Sequence, residues 1–410
     1  MTAMLFVGAG SRYETREVSG TAHFLEHLFF KGTPRRPTTL EIATEIDGMG
    51  CRFNAFTSQE YTAYFVKGAA EYTASAVDVI ADMLKHALIP PEEVERERGV
   101  VLEEMKMYED NPQAKVHDLI GRAMFGDTPL GWNIVGFPEV ISSVTRDEIM
   151  AYRKRFYAPG RMTLVIAGNV NHATTMRLAE EHFSELEPQA LDAPQPGEFA
   201  PVGSQQQGRD IQQANICLAL PAVSHSSPLE EVVATRMMTS ILGGSMSSRL
   251  FISVRERQGL CYTVSSSLDM AADIGALVVF TGTDPGNAAK AVSSIIAEME
   301  LLADKGIDDK ELEKGRAMLK GRYVLDREDS MAQAYLAAAE LLYRGRVIPR
   351  EEQFALIDAV TRDDIQAAAR RYLDAGALRA ALVGPKGLDI RDVLAGHPSV
   401  AQPVAAPGVT

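Results

Sequence analysis

Two stretches 216 positions apart repeat one another. SVTRDEIMAYRKRFYAPGRMTLVIAGNV opens at Ser143 and AVTRDDIQAAARRYLDAGALRAALVGPK at Ala359, so Val144-Thr145-Arg146-Asp147 returns as Val360-Thr361-Arg362-Asp363. Each copy predicts a helix capped by Thr with an acidic first turn, then a glycine-containing turn, then a buried strand. Chance likeness between two amphipathic helices does not explain why the strand that follows matches as well. An offset near half of a 410-residue chain means two copies of one domain, and this length exceeds what one ordinary core organises. Residues 186–208, LEPQALDAPQPGEFAPVGSQQQG, hold four prolines and little periodicity between the copies. The reading is a domain over 1–190, a proline-rich linker over 191–208 and a homologous domain over 209–410. Strand runs such as YTAYFVKG and GALVVFTGT alternate irregularly with amphipathic helices. That pattern predicts an α+β fold in which each half is a mostly antiparallel sheet covered by helices.

Composition narrows the function. No apolar run reaches the roughly 18 residues of a membrane span, and the start, MTAMLFVGAG, has no basic region ahead of its short apolar stretch. Neither a membrane partner nor a secretory signal is expected. Cys51, Cys217 and Cys261 are the only cysteines, too few and too scattered for a disulfide framework or a cysteine metal site. They fit a reducing cytoplasm. A net charge of −14 argues against nucleic acid and would favour basic peptides.

The chemistry concentrates in GTAHFLEHLFFKGT, residues 20–33, which uses two of the chain's eight histidines. Thr21 is a candidate N-cap for a helix here. On that helix His23 and His27 lie one turn apart on one face, where both imidazoles can reach one metal ion. Glu26 projects near that face without having to be a ligand. A catalytic zinc takes three protein ligands and keeps one position open, so two histidines call for a third ligand, often a carboxylate. PPEEVERERGVVLEEMKMYEDNP supplies candidates on a second amphipathic helix whose apolar positions are Val94, Val101, Leu102 and Met105. Glu97 and Glu104, two turns apart, share a direction on it. His-x-x-Glu-His is the inverted-zincin signature. The plain alternative is a pair of satisfied core histidines beside a solvated acidic helix.

With these residues in view, the chain resembles the M16 (pitrilysin/insulinase-type) zinc peptidases, and most closely bacterial relatives of the mitochondrial processing peptidase. VGAGSRYE, GTAHFLEHLFFKGT, FNAFTSQEYTAYF, ERGVVLEEMKMYEDNP and GGSMSSRLFISVRERQGLCY carry the resemblance along nearly the whole sequence. It implies one zinc per chain on His23, His27 and Glu104. The 76 residues between His27 and Glu104 match the family's gap and select Glu104 over Glu103. It implies that Glu26 is the general base acting on zinc-bound water, and that Glu97 orients a ligand histidine through its free ring N–H. Asn54, Ala55 and Phe56 match an edge strand that pairs with the substrate backbone, and Phe30 would line a pocket beside the metal. From the second half, Arg255 would hold a substrate carbonyl and Tyr262 would donate to the oxyanion. The family fold implies two domains facing each other across a chamber, one half of a clamshell that admits peptides or unfolded polypeptides. A homodimer is expected, with a heterodimer containing a related subunit as the alternative.

The resemblance leaves one departure and two rivals, one of them an unrelated metal store or sensor, which explains neither Glu26 nor the distant pair Arg255 and Tyr262. A shift of 216 carries His23, Glu26, His27 and Glu104 onto Thr239, Leu242, Gly243 and Lys320, so the second half has no metal set. The family places a further strand pair before VGAGSR, whereas Met1 comes almost at once here, so a first strand is expected to be missing and the N-terminus incomplete. GGSMSSR lacks the Lys-Ser/Thr ending of a phosphate loop, which excludes nucleotide binding there. The other rival is a non-catalytic assembly or peptide-binding subunit of the same fold. Such relatives usually lose ligands, and this chain keeps all of them.

Overall fold

In the computed structural model, which describes residues 1–187 and 192–395, the repeat is written in the elements themselves. In chain order they are β1 (Thr2–Val7), α1 (Thr21–Leu28), α2 (Thr39–Gly48), β2 (Arg52–Thr57), β3 (Thr62–Lys67), α3 (Thr73–His86), α4 (Pro91–Asp110), α5 (Pro112–Phe125), α6 (Pro138–Ile141), α7 (Arg146–Phe156), β4 (Met162–Ala167) and α8 (His172–Phe183). The second set is β5 (Ser204–Arg209), β6 (Ala214–Ala222), α9 (Leu229–Gly243), β7 (Cys261–Met270), β8 (Gly275–Thr283), α10 (Ala288–Lys305), α11 (Asp309–Asp326), α12 (Ser330–Arg344), α13 (Arg350–Ala359), α14 (Arg362–Tyr372), β9 (Arg379–Pro385) and α15 (Ile390–Leu394). A shift of 216 carries α7 onto α14 residue for residue. Both helices start with the capping box that the repeated Val-Thr-Arg-Asp predicts. Thr145 and Thr361 each accept from the third backbone N–H and receive Glu148 or Asp364 in return.

The first sheet has the order β2-β3-β1-β4 and is antiparallel throughout. The second has the order β5-β9-β6-β8-β7, with only β5 and β9 parallel. Thr2–Val7, just ahead of VGAGSR, forms an inner strand of the first sheet, between β3 and β4. The end of the proline-rich stretch is strand as well, because β5 begins at Ser204.

The alternating side chains of a strand serve two cores at once. Ala3, Leu5 and Val7 of β1 point into a core shared with α1, α2 and α3, while Met4 and Phe6 point the other way, onto Ala334 and Ala338 of α12. In the second sheet, Ile216, Leu218 and Leu220 of β6 meet α9, α10 and α14, and Cys217 and Ala219 meet Val116, Ile120 and Met124 of α5. The compact units therefore do not coincide with the linear halves. One comprises Met1–Met107, Trp132–Gln195 and Val324–Val347; the other comprises Tyr108–Gly131, Pro196–Tyr323 and the segment from Ile348 onward. The exchanged pieces, 108–131 and 324–347, are themselves 216 apart at both ends. Each half gives its α5-type helix to the other's sheet.

Candidate metal centre

The helix that carries the histidine pair begins at a carboxylate the sequence reading overlooked. Gly20 precedes α1 with φ +93°, and a Cβ there would meet the Val135 carbonyl oxygen at 2.6 Å, so glycine is required. Thr21 is the first residue of the helix and does not cap it, and its buried hydroxyl has no partner among the described residues. Glu14 does the capping from six residues upstream. Its Oε2 accepts the N–H of Gly20 at 2.7 Å and its Oε1 the N–H of Ala22 at 2.6 Å. That places a carboxylate at the positive end of the helix dipole. Burial nonetheless pushes the Glu14 carboxyl up to about 8, against the pull of those two N–H donors.

From this start, Ala22, Phe24, Leu25 and Leu28 enter the core, while His23 and His27 share a side. Their rings lie 4.7 Å apart at 70°. Helix α4 brings the carboxylates because its buried stripe is Val94, Glu97, Val101 and Met105, with Glu104 two turns after Glu97. The Nε2 atoms of His23 and His27 lie 3.6 and 3.4 Å from one oxygen, Glu104 Oε2. One ligand atom from each of the three residues falls within 4.8 Å of the other two, which makes a closed triangle. Ligands about 2.0–2.2 Å from a tetrahedral zinc stand about 3.4 Å from one another. The observed spacings to Glu104 match that edge, so the residues fit such an ion.

Behind this triangle, His27 Nδ1 faces Glu97 Oε2 at 3.1 Å, and Lys31 Nζ lies 2.6 Å from Glu97 Oε1. Burial works to raise the Glu97 carboxyl, but the bonds from His27 and Lys31 hold it below the ordinary range. Without a metal the two imidazoles split apart. Burial and the neighbouring His27 charge push His23 down to about 4. Burial also presses on His27, but the hydrogen bonds it donates to Glu104 and Glu97 raise it to about 9. Of the two imidazoles, His27 is therefore the one that favours the protonated form.

Glu26 lies on the same helix. Its Oε2 accepts a 2.5 Å bond from the hydroxyl of Thr57, the last residue of β2. Burial raises its carboxyl, Thr57 and His27 pull the other way, and Glu104 adds to the rise. A carboxylate with a raised pKa, held by one hydroxyl, is suited to taking and returning a proton.

Strand β2 is an edge of its sheet among the described residues. The N–H of Ala55 is taken by the Asn54 side-chain oxygen at 2.9 Å. Phe56 turns to the α12 side, with Tyr61 and Tyr335 rings near 6 Å. Phe30 is half-buried against Phe53, ring centroids 5.6 Å apart. Arg255 and Tyr262 belong to the second unit. Arg255 lies on a π-helix, Phe251–Arg257, a rare turn that recurs at functional sites. Its guanidinium sits 4.5 Å from the Phe251 ring and 5.1 Å from the Tyr262 ring, whose residue is 76 % exposed. No helix among the described residues is long and apolar enough to cross a membrane.

Three residues here escaped the sequence reading: Glu14, Lys31 and Thr57. Lys31 had a faint signal, one turn past His27 in an apolar setting. The other two act across loops and carry no spacing rule.

Comparisons with known proteins give the family. The model of the insulinase family, peptidase family M16, matches residues 1–136, and that of the peptidase M16 inactive domain matches residues 143–319. An uncharacterized zinc protease of Bacillus subtilis is 34 % identical over 93 % of this chain and 92 % of its own length. One from Mycobacterium tuberculosis is 36 % identical over 93 % and 88 %. A crystal structure of a protease from Helicobacter pylori, 22 % identical, shares the fold with a TM-score of 0.88 over 94 % of both chains. On the two family matches and the identity to these relatives, the chain belongs to the insulinase family of peptidases, family M16.

Proposed function

We propose that this protein is a zinc-dependent endopeptidase that hydrolyses peptides or short unfolded polypeptides. The observation that carries the reading is the convergence of His23 Nε2 and His27 Nε2 on Glu104 Oε2, at 3.6 and 3.4 Å, with the Glu26 carboxylate on the same helix as the histidines. The zinc named in the relatives' descriptions fits this donor set of two imidazoles and one carboxylate. When bound, the ion supplies a Lewis acid that polarises the scissile carbonyl and acidifies water.

The chain's own residues do the rest. Glu97 holds the Nδ1–H of His27 and so leaves its Nε2 as the ligand atom. Glu26 accepts a proton from the attacking water at the carboxylate oxygen that Thr57 leaves free, and returns it to the departing amine. The open side of β2 accepts the substrate as an added strand, with main-chain bonds near Asn54 and Ala55. Recognition through the backbone gives loose sequence preference. For Arg255 and Tyr262 we propose the substrate-carbonyl and oxyanion roles that the family likeness implies.

Cleavage of a basic fluorogenic peptide by wild type and Glu26→Gln, both verified to hold zinc, tests the reading. The expected result is turnover by wild type and a loss of about 10²–10⁴-fold in the variant. Equal turnover would remove Glu26 as the base, and zinc-loaded wild type with no turnover on any unfolded peptide would remove the peptidase reading.

A further inference from the structure

Lys31 is a nearly buried ammonium with only 15 % of its side chain exposed, three residues past the end of α1. A cation in that position is costly unless a partner compensates it. The partner is Glu97 Oε1 at 2.6 Å, and the other oxygen of the same carboxylate faces His27 Nδ1 at 3.1 Å. His27 then turns its Nε2 to Glu104 at 3.4 Å. Lysine, carboxylate, imidazole and ligand carboxylate form one line of contacts.

We infer that Lys31 is a positioning residue for the metal centre: by clamping one oxygen of Glu97 it commits the other to His27 Nδ1–H, which keeps the His27 Nε2 lone pair aimed at the point shared with His23 and Glu104. The inference rests on the metal-site reading above. Two arguments support it. A carboxylate held at one oxygen is free to rotate about its bond, whereas one held at both is fixed, and outer partners of this kind set ligand orientation. Charge balance points the same way. Glu26, Glu97 and Glu104 bring three negative charges, which Lys31 and a divalent cation together cancel when both imidazoles are neutral. Lys31 also repels the incoming cation, and removing it would relieve that repulsion. The repulsion acts across two intervening side chains, and the Glu97 carboxylate that lies between offsets it. The orientation of His27 is set by direct contact, so its loss dominates.

The test is zinc affinity, read by competition with a chromophoric chelator on the full chain. Lys31→Met should raise the zinc Kd about tenfold, the lower end for outer partners, and Lys31→Arg should recover most of the loss. Lys31 acts through Glu97, so in a Glu97→Gln background Lys31→Met should add almost nothing. Lys31→Gln, run through the same cycle, guards against a folding defect in the methionine variant. A purely structural lysine would lower the melting temperature equally with and without zinc; here the zinc-induced rise itself should shrink. An unchanged Kd in both lysine variants, or a full effect persisting in Glu97→Gln, overturns the inference and leaves the metal site standing. Wild type without measurable zinc affinity overturns both.

Discussion

Helices α1 and α9 are counterparts in the repeat, and they solve the same packing problem with different chemistry. In α1, the face that leaves the core carries His23, Glu26 and His27. In α9 the matching positions are Thr239, Leu242 and Gly243, all buried and apolar or self-satisfied. Thr239 closes its hydroxyl on the Thr235 carbonyl at 2.8 Å, Leu242 is fully buried, and a Cβ on Gly243 would meet the Ser266 backbone nitrogen at 2.6 Å. The counterpart of Glu104, Lys320, pairs with Asp358 at 2.6 Å. The same fold thus stands with a polar cluster in one copy and a filled core in the other. The donor set is an addition that the architecture tolerates, not a requirement of the architecture.

The sharpest way to break this comparison is to transplant the cluster. Thr239→His with Leu242→Glu and Gly243→His should not create a second metal site. It should destabilise the second unit by several kcal/mol, of the order of 3–5, because it buries unpaired polar groups and overpacks the glycine. Chemical denaturation and metal content read both outcomes. A stable variant that binds a second ion would show that the two copies are interchangeable.

The next effect separates the copies by proton chemistry. Metal-free His27, raised to about 9, is protonated at neutral pH, while His23, lowered to about 4, is already neutral. A metal ligand must shed its proton. Zinc uptake between pH 6 and 8 should therefore release about one proton, with affinity rising about tenfold per pH unit and levelling above about 9. Calorimetry in buffers of different ionisation enthalpy measures this release, and zero release would contradict the His27 assignment. In the metal-free protein the same proton adds stability that is full below about 6.5 and disappears as pH rises through about 9.

Smaller effects fall on the groups that hold the cluster in place. Thr57→Val removes the hydroxyl on Glu26 without changing shape, and should lower kcat about tenfold with zinc affinity unchanged. Thr57→Ser should restore it. Smallest is Glu14→Gln, which sets an NH₂ group against backbone N–H donors at the start of α1. It should cost about 1 kcal/mol in thermal unfolding, and a melting temperature equal to wild type would show that the cap is dispensable.

How much of this was legible in the sequence follows from what kind of rule each feature obeys. The capping boxes at Thr145 and Thr361 were legible because a cap is a local pattern. The pairing of His23 with His27 was legible because helical periodicity fixes it. Glu97 and Glu104 share a face with one another by the same periodicity, but only the resemblance brought Glu104 to the histidines. The reciprocal exchange of α5 and α12 was not legible. An apolar stripe such as Val116, Ile120 and Met124 records that it needs a sheet face but not which of two homologous sheets provides it. Glu14 was hidden for a related reason. A carboxylate that caps a helix across a loop leaves no spacing signal, and the Thr next to the helix start looked like the better cap.

The central claim is that the first copy holds one metal ion and the second holds none. It is tested most directly by the metal content of purified wild type and His27→Ala, measured by mass spectrometry against protein concentration. The account predicts close to one zinc per chain in wild type and close to none in the variant. Two zinc ions per chain, none in wild type, or equal content in both proteins would contradict it.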